Sequence, residues 1–400
     1  MQKCLLSIFL IFSLSVSGKS LSFFSSANNG IGYHEYITSV RGLGMGASGL
    51  ATPDSVSLNA YNIASWRYMG ITQINILMRL SYVQTEFPGQ SFTTSTGKFS
   101  GIQLGIPIKP KSVVFGLSIT PYTNVDYSIT QKLNSDLGAY EENVFFEGSI
   151  SRAQVNLSWS PHPKFGFGFG FNYYFGRIRD RYQLTFDTSE NYNSNYIVEY
   201  QFRGPGVSVS FDWNIIKNIY FGGFVDSKPK LNFTRVINSP LTFTQEKISE
   251  KGKLPFLWGI GASYQLGPRV IMAADYSAQK WSEGFDISGV NTQNLTDWYK
   301  TGIGIEHSHE NKRTNKFFNK FDIRAGFSTG KIGYLFNNDP VREYSGSLGF
   351  GFPFHRNTAR LDIAIVGGFR GDKQKNLAQE KFMQIFMSLS AGELWFQKLR

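Results

Sequence analysis

The 400-residue chain has a single cysteine, Cys4, which stands ahead of an apolar run from Leu5 to Val16. Small residues follow at Ser15, Ser17, Gly18 and Ser20. A basic start, a short apolar core and small residues after it describe a secretory signal peptide, expected over residues 1–20. Its removal takes Cys4 with it, which excludes a disulfide framework and thiol catalysis. Beyond that run no apolar stretch reaches the roughly 20 residues of a spanning helix. Charge is also scarce, at 17% of residues. Although the net charge is +11, no cluster of five or more Lys and Arg is present, so nucleic acid is not an expected partner. The cations instead suit solvated loops and turns, some facing anionic lipopolysaccharide. No linker, low-complexity stretch or composition break divides the chain.

What is abundant is aromatic residues and glycine: 36 Phe, 20 Tyr and 41 Gly. They alternate. Phe165, Phe167, Phe169, Phe171, Tyr173 and Phe175 are separated by Gly166, Gly168, Gly170, Asn172 and Tyr174. Side chains of a strand point alternately to its two faces, so these rings share one face and small or polar groups the other. The pattern recurs at Val207, Val209, Phe211, Trp213, at Leu254, Phe256, Trp258, Ile260, and at Leu348, Phe350, Phe352, Phe354. Alternation alone fits a soluble sandwich as well as a membrane barrel. Export, and short links near 109–112, 160–164, 214–218, 266–269 and 355–357 alternating with longer polar ones, favour the barrel. The segment 308–319 departs from that alternation, being long where a short turn is due. Trp159, Trp213 and Trp395 beside the short links, with Trp281 and Trp298 flanking a long one, are expected to form two aromatic girdles.

The fold predicted is all-β: a transmembrane antiparallel barrel of about 14 strands over residues 71–400, preceded by a plug at 21–70. Strands are expected near 71–84, 98–108, 113–127, 143–159, 165–186, 196–213, 219–233, 254–266, 269–282, 298–307, 320–334, 345–354, 359–369 and 381–396. The plug is not strand-like. It runs from Ser39-Val40-Arg41-Gly42-Leu43-Gly44-Met45-Gly46-Ala47 to Trp66, and its glycines lack the βαβ setting of a dinucleotide loop. A compact turn is expected, followed by a short helix begun by Asp54 or Ser55.

This run resembles the hatch of the FadL-type long-chain fatty-acid transporter superfamily. Gly44-Met45-Gly46-Ala47 matches its Gly-rich start, Asp54 its acid, and Asn62-Ile63-Ala64 its Asn-Pro-Ala, with Ile63 in place of the proline. Arg41, Gly44, Met45, Gly46, Asp54, Asn62 and Ala64 are therefore the candidate hatch residues. Stretches from Arg324-Ala325-Gly326 through Gly349-Phe350-Gly351-Phe352-Pro353 to Glu393-Leu394-Trp395-Phe396 look like uncharacterised FadL-like proteins of the Bacteroidetes–Ignavibacteria kind. The resemblance implies a 14-strand barrel occluded by its hatch, with hydrophobic molecules entering from outside and leaving sideways or through the plug. Trp395-Phe396 resembles a signal read by the barrel-assembly machinery.

Arg177, Arg179 and Arg181 share a face of one strand by the two-residue period; turned inward, they would contact an anionic ligand in the lumen. His307 and His309 also share a face, but Glu306 and Glu310 supply no recognised third ligand, and His162 and His355 fall in predicted turns. No metal, cofactor or enzymatic activity is expected. The function expected is passive passage of small hydrophobic molecules, such as long-chain fatty acids, across the outer membrane by a monomer. The rival is a non-transporting barrel that acts as a secretion accessory or interaction component, with recognition in 234–253 through Glu246, Lys247, Lys251 and Lys253.

Overall fold

The computed structural model describes residues 22–26, 31–135, 138–186, 193–238, 245–284, 294–309, 320–354 and 358–393. The signal segment, Cys4, Glu310, His355 and Trp395-Phe396 lie outside them.

The strands, in chain order, are β1 (Tyr33–His34), β2 (Thr72–Phe87), β3 (Gln90–Lys109), β4 (Val113–Ser135), β5 (Gly138–His162), β6 (Phe165–Phe186), β7 (Ser194–Ile216), β8 (Ile219–Asp226), β9 (Lys230–Asn238), β10 (Gln245–Lys253), β11 (Leu257–Leu266), β12 (Val270–Gln279), β13 (Trp298–His307), β14 (Asp322–Phe336), β15 (Asp339–Phe354), β16 (Ala359–Arg370) and β17 (Gln379–Glu393). Every pairing is antiparallel, and β17 returns to β2 from Glu393↔Thr72 to Gln379↔Glu86, which closes the barrel. Closure removes the free edges that lipid would leave unpaired. The wall is a 14-strand barrel in which β8 with β9, and β10 with β11, each make one interrupted crossing. The interruption follows from sequence: β7 pairs with β8 low down and with β9 higher up, and Pro229, which lacks a backbone donor, stands between the two.

The ring rows point outward. Phe169, Phe171, Tyr173, Val207, Val209, Ile260 and Ile303 are exposed, while Asn172, Tyr174, Ser208, Ser210 and Asp212 are buried. Exposed apolar rows over a buried polar interior are the inversion that a lipid-facing barrel requires.

Three expectations change. Loops are expected at 128–142, 234–253 and 335–344, yet the described residues there are largely strand, in β4, β5, β9, β10, β14 and β15. Their side chains lack apolar alternation because these stretches rise past the level of lipid. Trp159 and Trp213 face outward, 46% and 44% exposed, but Trp281 and Trp298 are buried in the interior cluster and form no second girdle. Asp54 begins no helix; its Oδ1 accepts from Val56 N and Ser57 N at 2.8 and 3.2 Å and closes a turn. The helix in this region is α2 (Val40–Gly44), capped by Ser39, after a first short turn α1 (Phe23–Ser26).

Candidate functional site: the filled lumen and the split seam

Residues 22–26 and 31–69 run inside the barrel, most of them buried. Phe23 packs on Phe87 and Phe336 at the upper end, 4.9 and 5.2 Å between centroids. The chain then descends to enter β2 at the lower end, where the short turns lie.

The candidate hatch residues come together there. Gly46 has a left-handed backbone, φ +69°, and a Cβ on it would lie 2.5 Å from the backbone of Ile303 and Phe327. The wall answers with glycines of its own: a Cβ on Gly302, Gly304 or Gly326 would stand 2.0, 2.3 or 2.1 Å from the backbone of Met45–Gly46. Backbone therefore rests on backbone, an approach that only glycine permits. Gly46 N donates to Ser347 Oγ at 2.8 Å, and Met45 is fully buried. Asn62 Nδ2 donates to Leu50 O at 2.7 Å, and Ala64 N donates to Ser210 Oγ at 2.9 Å. Ile63, at the position of the expected proline, opens a 3₁₀ turn (Ile63–Tyr68) between β5, β6 and β7.

Arg41 anchors the segment electrostatically. Its Nε and Nη2 donate to the two oxygens of Glu306 at 2.7 and 2.8 Å, and Nη1 lies 3.2 Å from Asp54. Arg324 reaches Glu306, Asp362 and Asp322 at 2.6, 2.7 and 3.0 Å. Arg360 ties Asp362 at 2.8 Å to Asp54 at 2.6 Å. His309 sets Nδ1 2.7 Å from Asp322. Three guanidiniums and four carboxylates thus link the segment to β13, β14 and β16. Charges out of water are tolerable only when paired and hydrogen-bonded, which this net achieves. Arg67 with Asp212 at 2.6 Å and Arg152 with Asp226 at 2.8 Å repeat the device. Arg79 with Glu35 does so across the middle. Near the top, Arg370 joins Glu343 and Glu380, and Glu380 Oε2 accepts from Ser22 Oγ at 3.0 Å.

Apart from Arg41 and Asp54, these charges escaped the sequence reading as partners of the segment, Glu306 and His309 having been weighed only as metal ligands. Glu306, Arg324, Asp362 and Arg370 sit on strand faces opposite the ring rows; unlike charges at lumen positions were the available signal.

Arg177, Arg179 and Arg181 do not reach the lumen. They continue the outward row of Phe175, with side chains 67%, 29% and 34% exposed. Arg179 pairs with Glu199 at 2.7 Å, and Arg181 lies 3.6 Å from Glu147. The period-two rule placed them together, but the inward face of β6 is the even one, with Asn172, Tyr174 and Ile178.

Among the described residues the wall has one split. β3 and β4 pair only from Lys109↔Val113 to Ile102↔Ile119. Above that, β3 stays with β2 and β4 with β5, while β1 takes the place of β3 beside β4 at Tyr33↔Asn124 and His34↔Thr123. Lys98 spans the split, with Nζ 2.6 Å from Asn124 Oδ1 and 2.7 Å from Asp126. A polar cleft of about 560 Å³ opens here, lined by Lys98, Asn124, Asp126 and Glu147. Inside the barrel, the space beside Tyr33, His34 and Trp298 measures about 40 Å³, and that beside Tyr61 and Arg152 about 10 Å³.

Comparison with known proteins follows from this geometry. No curated protein matches the sequence. Among solved structures the fold is similar to a Pseudomonas aeruginosa FadL homologue, with TM-score 0.62 and 14% identity over 90% of this chain and 98% of that one. It is similar to the toluene transporter TbuX of Ralstonia pickettii, with TM-score 0.58 and 13% identity over 90% and 98%. It is also similar to TodX of P. putida, with TM-score 0.57 and 14% identity over 84% and 93%. The FadL-type barrel implied by the motifs is borne out as a fold. The BamG family model matches the sequence across residues 1–400, and the chain belongs to the BamG family.

Proposed function

We propose that this chain is a closed outer-membrane barrel that works by contact with other proteins in and above the membrane. The filled lumen carries this reading. A dry apolar cavity that binds benzene measures about 150 Å³, whereas the lumen spaces beside the segment measure about 40 and 10 Å³. The charged net around Arg41 and Arg324 would have to open before a solute passed, leaving carboxylates unpaired in a low-dielectric interior.

The wall supports the same reading. Crossing a membrane takes roughly 9–11 tilted residues, and β11, β12 and β13 have 10 each. β4, β5, β6 and β7 have 23, 25, 22 and 23. The surplus raises a one-sided wall above the lipid, extended by the β9–β10 hairpin, and gives a surface that lipid does not cover. Recognition in 234–253 then becomes recognition by this wall.

Hydrophobic passage is the second reading. The split between β3 and β4 favours it, because it is a sideways route that bypasses the clamped lower lumen, and the similar solved structures include toluene transporters. Fatty acids would be one substrate class. No catalysis belongs to either reading.

The purified full-length barrel in liposomes separates them. The expected result is no ion conductance and no uptake of labelled toluene or fatty acid. In parallel, replacing residues 236–247 by Asn-Gly, a turn suited to a two-residue hairpin, is expected to strip co-purifying protein from native membranes. Uptake by the intact barrel alone would sink the interaction reading in favour of passage.

A further inference from the structure

The outer face of β7, β9 and β10 carries exposed cations, of which the interaction reading draws only on Lys251 and Lys253. Arg203, Lys228, Lys230, Lys251 and Lys253 are all exposed, and no ion pair engages them among the described residues. The register gathers them. Arg203 and Lys251 both stand beside Asn232, on its two sides. Lys230 and Lys253 are directly opposite each other. Like charges so placed repel, and the repulsion turns into attraction only if an anion sits between them. The nearest outward acid on β7, Glu199, is already held by Arg179 at 2.7 Å.

Height along the wall identifies the anion. Arg203 is the direct cross-strand partner of Phe175, the last ring of the outward row. Below it Tyr173, Val207 and Val225 are exposed, at 44%, 52% and 41%. The cations thus begin where the apolar band stops. A ligand fitting both surfaces has acyl chains for the band and phosphates for the cations, and guanidinium and ammonium groups at a membrane surface attract such headgroups.

We infer that Arg203, Lys230, Lys251 and Lys253 form a binding site for the phosphorylated headgroup of an outer-leaflet glycolipid. The inference rests on the barrel's lying in an outer membrane, and it stands whether the lumen is closed or conducting.

The test uses the full chain in nanodiscs, with bisphosphorylated lipid A as probe. Arg203→Ser, Lys230→Ser, Lys251→Ser and Lys253→Ser combined are expected to weaken binding at least tenfold. Lys373→Ser with Lys381→Ser, whose lysines pair with Glu86, is expected to leave it unchanged. Heat-modifiable migration on gels checks that each variant remains a folded barrel. Lipid A stripped of phosphate is expected to bind as weakly as lipid A does to the fourfold variant. Unaltered lipid A binding by a folded fourfold variant overturns the site. Displacement of lipid A by millimolar inorganic phosphate would overturn the lipid assignment and leave a site for free anions.

Discussion

The two ends of the lumen are held by different physics. At the lower end the N-terminal segment lies backbone to backbone against Gly302, Gly304 and Gly326 and is tied by Arg41, Arg324 and Arg360. At the upper end rings hold it, with Phe23 and Phe24 against Phe87, Tyr127 and Phe336, beside a charged tie from Ser22 to Glu380, and the wall beside it is split between β3 and β4. Glycine contacts and buried ion pairs fail steeply with displacement, because a buried charge losing its partner keeps its desolvation cost. Rings can slide and repack at modest cost. The contrast makes the lower end a fixed clamp and the upper end the part able to rearrange.

Breaking the clamp should have the largest effect. In Gly326→Val the Cβ would meet Gly46 N at 2.1 Å, with nothing flexible to yield. The segment is expected to leave its seat, so residues 22–70 become cleavable by added protease and ion current appears in planar bilayers. A barrel that stays silent and resistant would show that the lower contacts are not the seal.

Arg324→Met comes next. It leaves Glu306 and Asp362 each short of a partner, for a loss of about 3–5 kcal/mol, read as a lowered unfolding midpoint in denaturant. Phe336→Leu at the upper end exchanges one apolar group for another and should cost less than about 1.5 kcal/mol. If the two substitutions cost the same, the comparison between the ends fails.

Lys98→Met removes the cation across the split. Amide exchange is expected to rise in residues 90–101 and 120–128, while the ladder of β17 with β2 stays protected and the unfolding midpoint moves less than in Arg324→Met. Uniform exchange around the barrel would mean that the split is no weaker than the closing seam.

The smallest effect concerns the upper loops. Hydrogen bonds from Lys373 and then Lys381 lower the Glu86 carboxyl from its ordinary 4.5 to about 2. A carboxyl lowered on folding contributes fully above its ordinary value and loses that contribution as pH falls toward its folded one. Loop 371–378 should therefore stay docked at pH 6 and loosen between about pH 4.5 and 2, followed by amide exchange of Lys375 and Asn376. With Glu86→Gln the loop should be equally loose at both ends of that range.

Much of the wall was legible. β6 and β13 were placed from end to end, because rings in the one and isoleucines in the other alternate with glycine and fix both strand and face. The tops of β4, β5, β9 and β10 were not, since strands in water need no apolar alternation. Trp281 and Trp298 misled because position near a loop does not say which face a side chain takes. Arg177, Arg179 and Arg181 were correctly grouped and left open as to face. The hatch motif named Arg41 and Asp54 but not their partners, Glu306 and Arg360, some 265 and 306 positions away.

The sequence by itself determined the barrel and the face that each clear strand turns to lipid, because two-residue alternation is local and lipid rewards apolar surface on one side only. The tertiary structure alone decided that the segment before β2 lies against the inner wall, that the wall splits between β3 and β4, and which charges meet. Those outcomes depend on partners hundreds of residues apart, brought within hydrogen-bond reach only when the strands close into a ring around the segment that precedes them.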